Sequence, residues 1–277
     1  MDGTRPDAEV LVALAERVSA VGGMVGVALG GSRARDDHHP DSDVDLGLYY
    51  RPPLDVAALG AVAREVGGPG VLVSDPGAWG PWVDGGAWLR VEGVALDWVY
   101  RDVDRVRAAW EDARRGVHAF HAEVGHPLGV PDFAYVAGLA LGEVLADPTG
   151  ELTELRAQFQ EFPPRLRQAL VDGLTEAVLL VEVAFGAVQR RDTTFIAGCL
   201  FRAFVLCAHA IHGNAGRWLI DEKGAVGAAD RLPGAPEGFS ARAHGILSAL
   251  GTTGDPLEVA VDSALVLVRD VTKRLRS

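Results

Sequence analysis

Apolar residues recur at two different spacings along this chain, and the balance between them changes near the middle. In residues 1–115, short apolar runs alternate with stretches in which apolar residues recur every three or four positions, a pattern that predicts strands alternating with helices. The predicted strands are 24–29, 44–50, 71–74, 87–91 and 94–100, and the predicted helices are 8–21, 54–66 and 103–115. Glu92-Gly93 separates the last two strands and predicts a hairpin turn.

Residues beyond 132 show almost only the helical spacing. The predicted helices there are 133–145, 151–159, 164–188, 194–212, 239–250 and 257–274. Residues 116–134 contain three glycines and two prolines, which predicts a linker. The fold class is therefore α/β in the α+β sense: a small mixed β-sheet core with flanking helices, followed by an all-α helical domain. We place the two domains at 1–116 and 133–277.

Composition supports a folded chain with about two domains. The 277 residues are 48% hydrophobic and 23% charged, which is an ordinary globular balance. Apolar stretches such as 177–188 are shorter than the ~20 residues that span a bilayer, and the first residues do not resemble a signal peptide. We expect a cytoplasmic protein without a membrane helix.

Cys199 and Cys207 lie eight residues apart in one predicted helix, too far for a disulfide, and are expected in the core.

The formal net charge of −12 restricts the partners that this protein can bind. Residues 1–135 contain 12 basic and 21 acidic side chains. Long nucleic acid is disfavoured as a partner, because binding the phosphate backbone requires clustered Lys and Arg. A small acceptor that is cationic or neutral fits this charge better.

The residues with the clearest chemistry lie in and around the first two predicted strands. Gly30-Gly31-Ser32 follows one strand, and its glycines allow the backbone to approach a ligand while Ser32 and nearby amides can meet a phosphate. Asp43-Val44-Asp45 opens the next strand. Residues two apart on a strand point to the same face, so both carboxylates can bind one hard cation, for which Mg²⁺ is the natural choice. The plain alternative is an acidic turn in solvent.

Asp97 is the one acid inside the apolar strand 94–100. A carboxylate there is costly to bury unless a metal or another partner meets it. Asp97 could bind a second metal ion, act as the general base, or do both. The structural alternative is a core acid paired with Arg90.

Gly-Gly-Ser, ten residues, Asp-x-Asp and a later strand aspartate together resemble the nucleotidyltransferase core of the DNA polymerase beta superfamily. With a helical domain behind it, the chain is similar to bacterial aminoglycoside and lincosamide nucleotidyltransferases. The resemblance implies an enzyme that transfers a nucleoside monophosphate, usually from ATP, to an acceptor hydroxyl and releases pyrophosphate. It implies a site for two Mg²⁺ ions at Asp43, Asp45 and Asp97, which are also the catalytic residues.

The same resemblance implies which residues contact the nucleotide. Gly30, Gly31, Ser32 and Arg33 would bind the phosphates, although Arg33 could instead neutralise nearby acids. Lys223 lies in a segment, 214–224, where related helical domains place a lysine on the triphosphate. The chain has 26 basic residues, of which only Lys223 and Lys273 are lysines. The alternative for Lys223 is an exposed helix-end lysine paired with a neighbouring acid.

Several other residues are weaker candidates. Glu176 and Glu182 are reserve general bases if Asp97 is structural, although a solvated helix face explains them as well. His118, His121 and His126 do not match the spacing of a closed zinc site, and His209 and His212 are expected to be partly buried in a helix. Tryptophans 79, 82, 88 and 98 favour the core, although the loop containing Trp79 and Trp82 could line the acceptor site.

We therefore predict transfer of AMP, or another nucleoside monophosphate, to a small hydroxylated acceptor, an antibiotic among the candidates, held between two domains. The alternative is an antitoxin-like or regulatory module that acts on a protein partner, or a non-catalytic nucleotide-binding module. The acceptor, the base preference and the oligomeric state, a homodimer included, are left open by the sequence.

Overall fold

The computed structural model describes residues 8–30 and 43–276. The chain divides into two compact units. The first unit is Met1–Glu111 with Asp132–Glu161, and the second unit is Asp112–Pro131 with Phe162–Ser277. The predicted domains were 1–116 and 133–277. In the structure, residues 133–161 belong to the first unit, which contains the N-terminal sheet. Most of the predicted linker, 116–134, belongs to the second, helical unit.

The described residues form seven strands and eleven helices. The strands are β1 (Met24–Leu29), β2 (Val44–Tyr50), β3 (Gly86–Val91), β4 (Val94–Asp102), β5 (Phe120–Glu123), β6 (His126–Pro131) and β7 (Glu143–Ala146). The helices are α1 (Ala8–Ser19), α2 (Val56–Gly67), α3 (Val103–Arg115), α4 (Ala134–Leu141), α5 (Glu151–Phe159), α6 (Pro164–Asp172), α7 (Leu174–Val188), α8 (Thr193–Asn214), α9 (Ala225–Ala229), α10 (Phe239–Ser248) and α11 (Gly254–Arg276).

The first unit is built on a mixed five-stranded sheet with the strand order β3-β4-β2-β1-β7. Strands β2 and β4 are parallel, and the other neighbouring pairs are antiparallel. One face of the sheet packs with α1 and α2 to form the core of this unit. On β2, Val44, Leu46 and Leu48 are fully buried, whereas Asp45 and Gly47 between them are only partly buried. This alternation leaves polar positions on the opposite face, and the predicted α+β class is confirmed.

The hairpin β3–β4 forms as predicted, and its turn residues explain why. Glu92 and Gly93 both have positive φ, 52° and 86°, the combination that a two-residue hairpin turn requires. The predicted strand 71–74 is wrong, because only one isolated bridge forms, between Val73 and Ala87. At Ser74 the hydrogen bonds close a loop instead, since Gly86 N donates to Ser74 Oγ and Ser74 N donates to Gly86 O.

Strand β7 was not predicted, because its residues continue the apolar pattern of the helix before it. The helix predicted over 133–145 ends at Leu141, and Gly142 then adopts an extended conformation. A Cβ at Gly142 would lie 2.8 Å from Leu29 O and from Gly138 O, so only glycine allows this close approach. The chain then pairs with β1 as an antiparallel edge strand.

The segment 132–161 is also tied to the first unit by charge. Glu151, at the start of α5, accepts hydrogen bonds from Arg51 Nη2 at 2.5 Å and from Arg107 Nη2 at 2.8 Å. These two guanidinium groups, Arg51 first, lower the pKa of Glu151 to about 2 against the effect of burial. The carboxylate is therefore ionised wherever the protein is folded near neutral pH.

The second unit is helical, with the hairpin β5–β6 in place of the predicted linker. The long helix predicted over 164–188 is two helices, α6 and α7, separated at Gly173, where a glycine weakens helix continuity. Helix α8 lies in the core of this unit. Cys199 and Cys207 on α8 are buried free thiols, which agrees with the expectation of core cysteines without a disulfide.

By length and composition α8 could cross a membrane, which the sequence analysis overlooked. Its 22 residues have a mean hydropathy of 1.8 in the most apolar window. In the part of the chain that is described, 67% of this window is buried against the rest of the protein. Core helices of soluble proteins have the same property. The cytoplasmic location stays a prediction.

Candidate active site

Four residues lie side by side across the face of the first unit's sheet that is opposite the core of α1 and α2. Asp45 on β2 is the register partner of Asp97 on β4, and Trp88 on β3 is the partner of Asp97 on its other side. Gly30, just after β1, donates its N–H to Asp45 O at 2.8 Å. Partners in register point to the same face, so the order across the sheet is Gly30, Asp45, Asp97, Trp88. We call these four residues the cross-strand row.

The core explains why the row faces outward. The neighbouring row on the opposite face contains Leu46, Trp98 and Ala87, whose exposed fractions are 0%, 0% and 1%. Because side chains alternate along a strand, burying these three residues forces Asp45, Asp97 and Trp88 to the other face. The buried core residues therefore fix the register of the sheet. This register places the carboxylates of Asp45 and Asp97 next to each other.

Electrostatics show that the predicted carboxylates share one region. The pKa of Asp97 is raised to about 6, chiefly by burial and then by the negative charges of Asp45 and Asp43. Arg90 does not pair with Asp97: the shift in the pKa of Asp97 comes from burial, Asp45 and Asp43, and Arg90 Nη1 donates to the backbone oxygen of Gly93 at 2.8 Å. The alternative of a core salt bridge between Asp97 and Arg90 is therefore wrong. Three mutually repelling carboxylates form a region that a cation would stabilise.

The three carboxylates do not form a closed metal cage by themselves. Within residues 8–30 and 43–276, no group of three or more His, Cys, Asp and Glu side chains is assembled to hold a metal ion. Asp43 is exposed, immediately before β2. Magnesium usually keeps several waters and binds through one or two carboxylates together with substrate phosphates. The donor set of Asp43, Asp45 and Asp97 fits an ion that is completed by a nucleotide.

Only the first residue of the predicted phosphate-binding segment lies in the described part of the chain. Gly31, Ser32 and Arg33 lie outside the described residues. A Cβ at Gly30 would meet Asp45 O at 3.8 Å and Asp45 Cβ at 4.0 Å, which are ordinary contacts. The described neighbours of Gly30 therefore leave room for a side chain, and their packing does not explain the glycine.

Lys223 belongs to the second unit and is exposed. Its backbone N–H donates to Asp221 Oδ1 at 2.8 Å. The carboxylate of Glu222 accepts from Leu128 N at 2.7 Å and lies 3.3 Å from His126 Nδ1. Asp221 and Glu222, the two acids next to Lys223, therefore accept hydrogen bonds from backbone N–H groups. A contact between Lys223 and the triphosphate stays a prediction.

The weaker candidates have structural explanations in the second unit. Glu176 pairs with Arg202 at 2.8 Å, and Glu182 pairs with Arg269 at 3.5 Å, so both glutamates belong to surface ion pairs. Burial lowers the pKa of His209 to about 3, which describes a neutral core histidine. His212 is also buried.

Trp88 is the site residue that sequence reasoning missed. It was expected in the core, but it is 66% exposed and stacks on Trp79, with ring centroids 4.2 Å apart and an interplanar angle of 16°. The signal was present in strand β3, where Ala87, Leu89 and Val91 alternate with Trp88 and are buried. Trp98 is fully buried, as expected.

Comparison with known proteins supports the class of domain that this site defines. The family model of the nucleotidyltransferase domain matches residues 11–71, which contain Gly30, Asp43 and Asp45. This part of the chain is therefore similar to nucleotidyltransferases, whose general reaction is the transfer of a nucleoside monophosphate. No curated protein matches the chain. A solved nucleotidyltransferase-like protein from Exiguobacterium sibiricum is 12% identical over 92% of this chain and 70% of its own, with a TM-score of 0.44.

Proposed function

We propose that this protein transfers a nucleoside monophosphate from ATP, or another nucleoside triphosphate, to a hydroxyl group of a small acceptor, an antibiotic among the candidates. The observation that carries the proposal is the pairing in register of Asp45 with Asp97, one strand away from Gly30. This pairing brings Gly30, the first residue of the predicted phosphate-binding segment, and the two carboxylates together on one face of the sheet, which supports the proposal. The domain match at residues 11–71 supports the same class of reaction.

Asp43, Asp45 and Asp97 would hold one or two Mg²⁺ ions. When bound, the ions would offset phosphate charge and stabilise the charge that develops during transfer. Gly30, with Gly31, Ser32 and Arg33, binds and orients the triphosphate in this proposal, and Lys223 adds a point charge on a phosphate oxygen.

Asp97 is the proposed general base. It takes the proton of the acceptor hydroxyl while the acceptor oxygen bonds to the α-phosphorus and the bond to the pyrophosphate oxygen breaks. A base must be ionised, and Asp97 with a pKa of about 6 is largely ionised near neutral pH even without a cation. Bound cations would lower the pKa of Asp97 further, so Asp97 would remain ionised, and able to act as a base, at acidic pH.

Incubation with radiolabelled ATP, Mg²⁺ and a panel of aminoglycosides and lincosamides tests the proposal. We expect label in a small-molecule product, release of pyrophosphate and no product from Asp45→Asn. A parallel incubation with cell extract covers protein acceptors. Label in a protein band alone would favour the antitoxin-like alternative, and ATP binding without any labelled product would favour a non-catalytic module.

A further inference from the structure

Helix α11 carries apolar side chains on its outer face as well as on its inner face. The inner face, which includes Leu257, Val261 and Val268, is fully buried in the second unit. On the outer face, Val259 and Val266 are 64% and 62% exposed. Polar residues usually occupy this face of a surface helix, and valine favours a helix less than most of them do. Neither the core nor the helix itself therefore explains the two valines.

The two valines belong to a regular stripe along α11. Spacings of four and three residues alternate in this stripe, and each of its members is exposed: Asp255, Val259, Asp262, Val266, Arg269 and Lys273. This alternation keeps side chains in one line along a helix, and it is the pattern through which two helices pack along their length. We call these six residues the α11 stripe. It is a surface suited to a second helix.

A groove runs beside the α11 stripe, between α11 and α10. Its volume is about 780 Å³, and Val259 and Val266 line it together with Ile246 of α10. A Cβ at Gly245, another lining residue, would meet no described atom within 4 Å, so the groove is open there. An exposed apolar groove beside an apolar stripe marks a surface for interaction with a partner.

The charges of the α11 stripe change sign along the helix. Its first half contains the acids and its second half contains the bases. The helix macrodipole acts within the first and last turns, so it accounts for Asp255 and Lys273. Asp262 and Arg269 lie outside those turns and need another explanation. A stripe that is acidic in one half and basic in the other is complementary to a second copy of itself that runs antiparallel.

We infer that two copies of this protein associate through the α11 stripe, with their α11 helices antiparallel about a twofold axis at Val266. The two Val266 side chains then meet at the axis, and Val259 of each copy packs on the methylene stem of Lys273 of the other. Asp262 of each copy lies within one residue of Arg269 of the other, ~1.5 Å along the helix. The two copies of Asp262 are ~12 Å apart, so their repulsion is largely screened. The inference goes beyond the proposed reaction and does not depend on it.

Other charges near this contact are already paired within each copy. Asp270, the acid in the second half of α11, binds Arg242 at 3.2 Å and Arg274 at 3.0 Å. Arg269 lies 3.5 Å from Glu182. That pair is exposed and stabilises the chain little, so Arg269 can turn to the acid of the second copy. The antiparallel contact therefore does not force unpaired like charges together.

The expected strength follows from the size of the contact. Between Asp255 and Lys273, α11 is ~27 Å long, and one helix with its groove is a small interface. We therefore expect reversible association at micromolar concentrations. Sedimentation equilibrium of the whole chain, between about 1 and about 500 µM, measures this association.

The two valines provide a matched pair of variants, because they are almost equally exposed but only Val266 lies at the axis. Val266→Glu places two carboxylates against each other and should weaken association by about 100-fold or more, since symmetry applies the change twice. Val259→Glu gains Lys273 of the other copy as a partner and should stay within about tenfold of wild type. Val183→Glu, at a valine that is 56% exposed on α7, is the control and should associate like wild type.

Exchanging charges tests the antiparallel direction. Asp262→Arg and Arg269→Asp should each weaken association by about tenfold or more, because each brings like charges together. The double variant, Asp262→Arg with Arg269→Asp, restores opposite charges and should return to within about threefold of wild type. Structural damage from the substitutions would accumulate in the double variant instead of cancelling. Melting temperatures of all variants show that the fold is retained.

A wild-type chain that stays monomeric over this range of concentrations would overturn the inference. Equal losses in Val266→Glu and Val183→Glu, or in Val266→Glu and Val259→Glu, would overturn it as well, because the axis would not lie at Val266. A double variant that associates no better than either single variant would exclude the antiparallel pairing of Asp262 with Arg269.

Discussion

Replacing Asp97 with asparagine should stabilise the fold at neutral and alkaline pH while removing activity. The pKa of Asp97 is raised in the folded protein to about 6 from 3.8, first by burial and then by Asp45 and Asp43. A carboxyl group with a raised pKa favours the folded state below its unfolded pKa, and this stability is lost as the pH rises through the folded pKa. Asparagine has nearly the same shape and cannot ionise, so Asp97→Asn avoids this loss.

The size of the effect follows from the shift. A shift of about two pKa units corresponds to roughly 3 kcal/mol at about 1.4 kcal/mol per unit. Asp97 is only partly buried, so solvent screening reduces this figure to about 1–2 kcal/mol. In a protein of this size, each kcal/mol changes the melting temperature by roughly 2–4 °C. Asp97→Asn should therefore melt about 2–8 °C above wild type at pH 8.

Calorimetric melting of wild type and Asp97→Asn from pH 4 to pH 8, without divalent ions, measures this difference. The difference in melting temperature between Asp97→Asn and wild type should be small at pH 4, increase through pH 6 and become constant by pH 8. Asp262→Asn, which removes an exposed carboxylate on α11, is the control and should show no such growth. A gap that is independent of pH, or a variant less stable than wild type at pH 8, would refute the electrostatic description of the site.

Three further predictions concern activity. Asp43→Asn and Asp45→Asn should each retain the fold and lose transfer by about 1,000-fold or more, because Lewis-acid stabilisation is worth several kcal/mol; normal turnover in purified Asp45→Asn would exclude the metal assignment. Asp97→Asn should lose most activity with little recovery at high Mg²⁺, since a base is lost as well as a ligand, and the rate measured against Mg²⁺ and pH distinguishes the two roles. Lys223→Ala should raise the KM for ATP about tenfold or more while Lys273→Ala, which removes the other lysine, should not; equal KM values would make Lys223 a surface residue.

The parts of the fold that sequence reasoning predicted are those with strong local patterns. Strands β1 and β2 and helices α3 and α5 have the predicted bounds, because apolar spacing and flanking glycine or proline determine them locally. Strand β7 was missed because its four residues continue a helical pattern. Its conformation depends on pairing with β1 and on the close approach at Gly142, which are tertiary effects.

The site shows the same division between local and long-range information. The Asp43-Val44-Asp45 spacing and the strand position of Asp97 could be read from the sequence. The sequence could not show that β4 lies parallel to β2 with Asp97 opposite Asp45, because these residues are far apart along the chain. Trp88 was expected in the core because tryptophan usually lies there. The alternation of apolar residues in β3 nevertheless indicates that its side chain lies on the exposed face.

The edge position of β7 has a consequence for any attempt to isolate the first unit. A chain cut at residue 116, where the predicted domain ends, would lose β7 and α5 and would leave β1 as the last strand of the sheet. Its free N–H and C=O groups would then be open to another polypeptide, which is how unprotected edges lead to aggregation. Arg51 and Arg107 would lose Glu151 at the same time. Residues 132–161 therefore protect the β1 edge of the sheet, and a soluble fragment that contains this sheet has to include them.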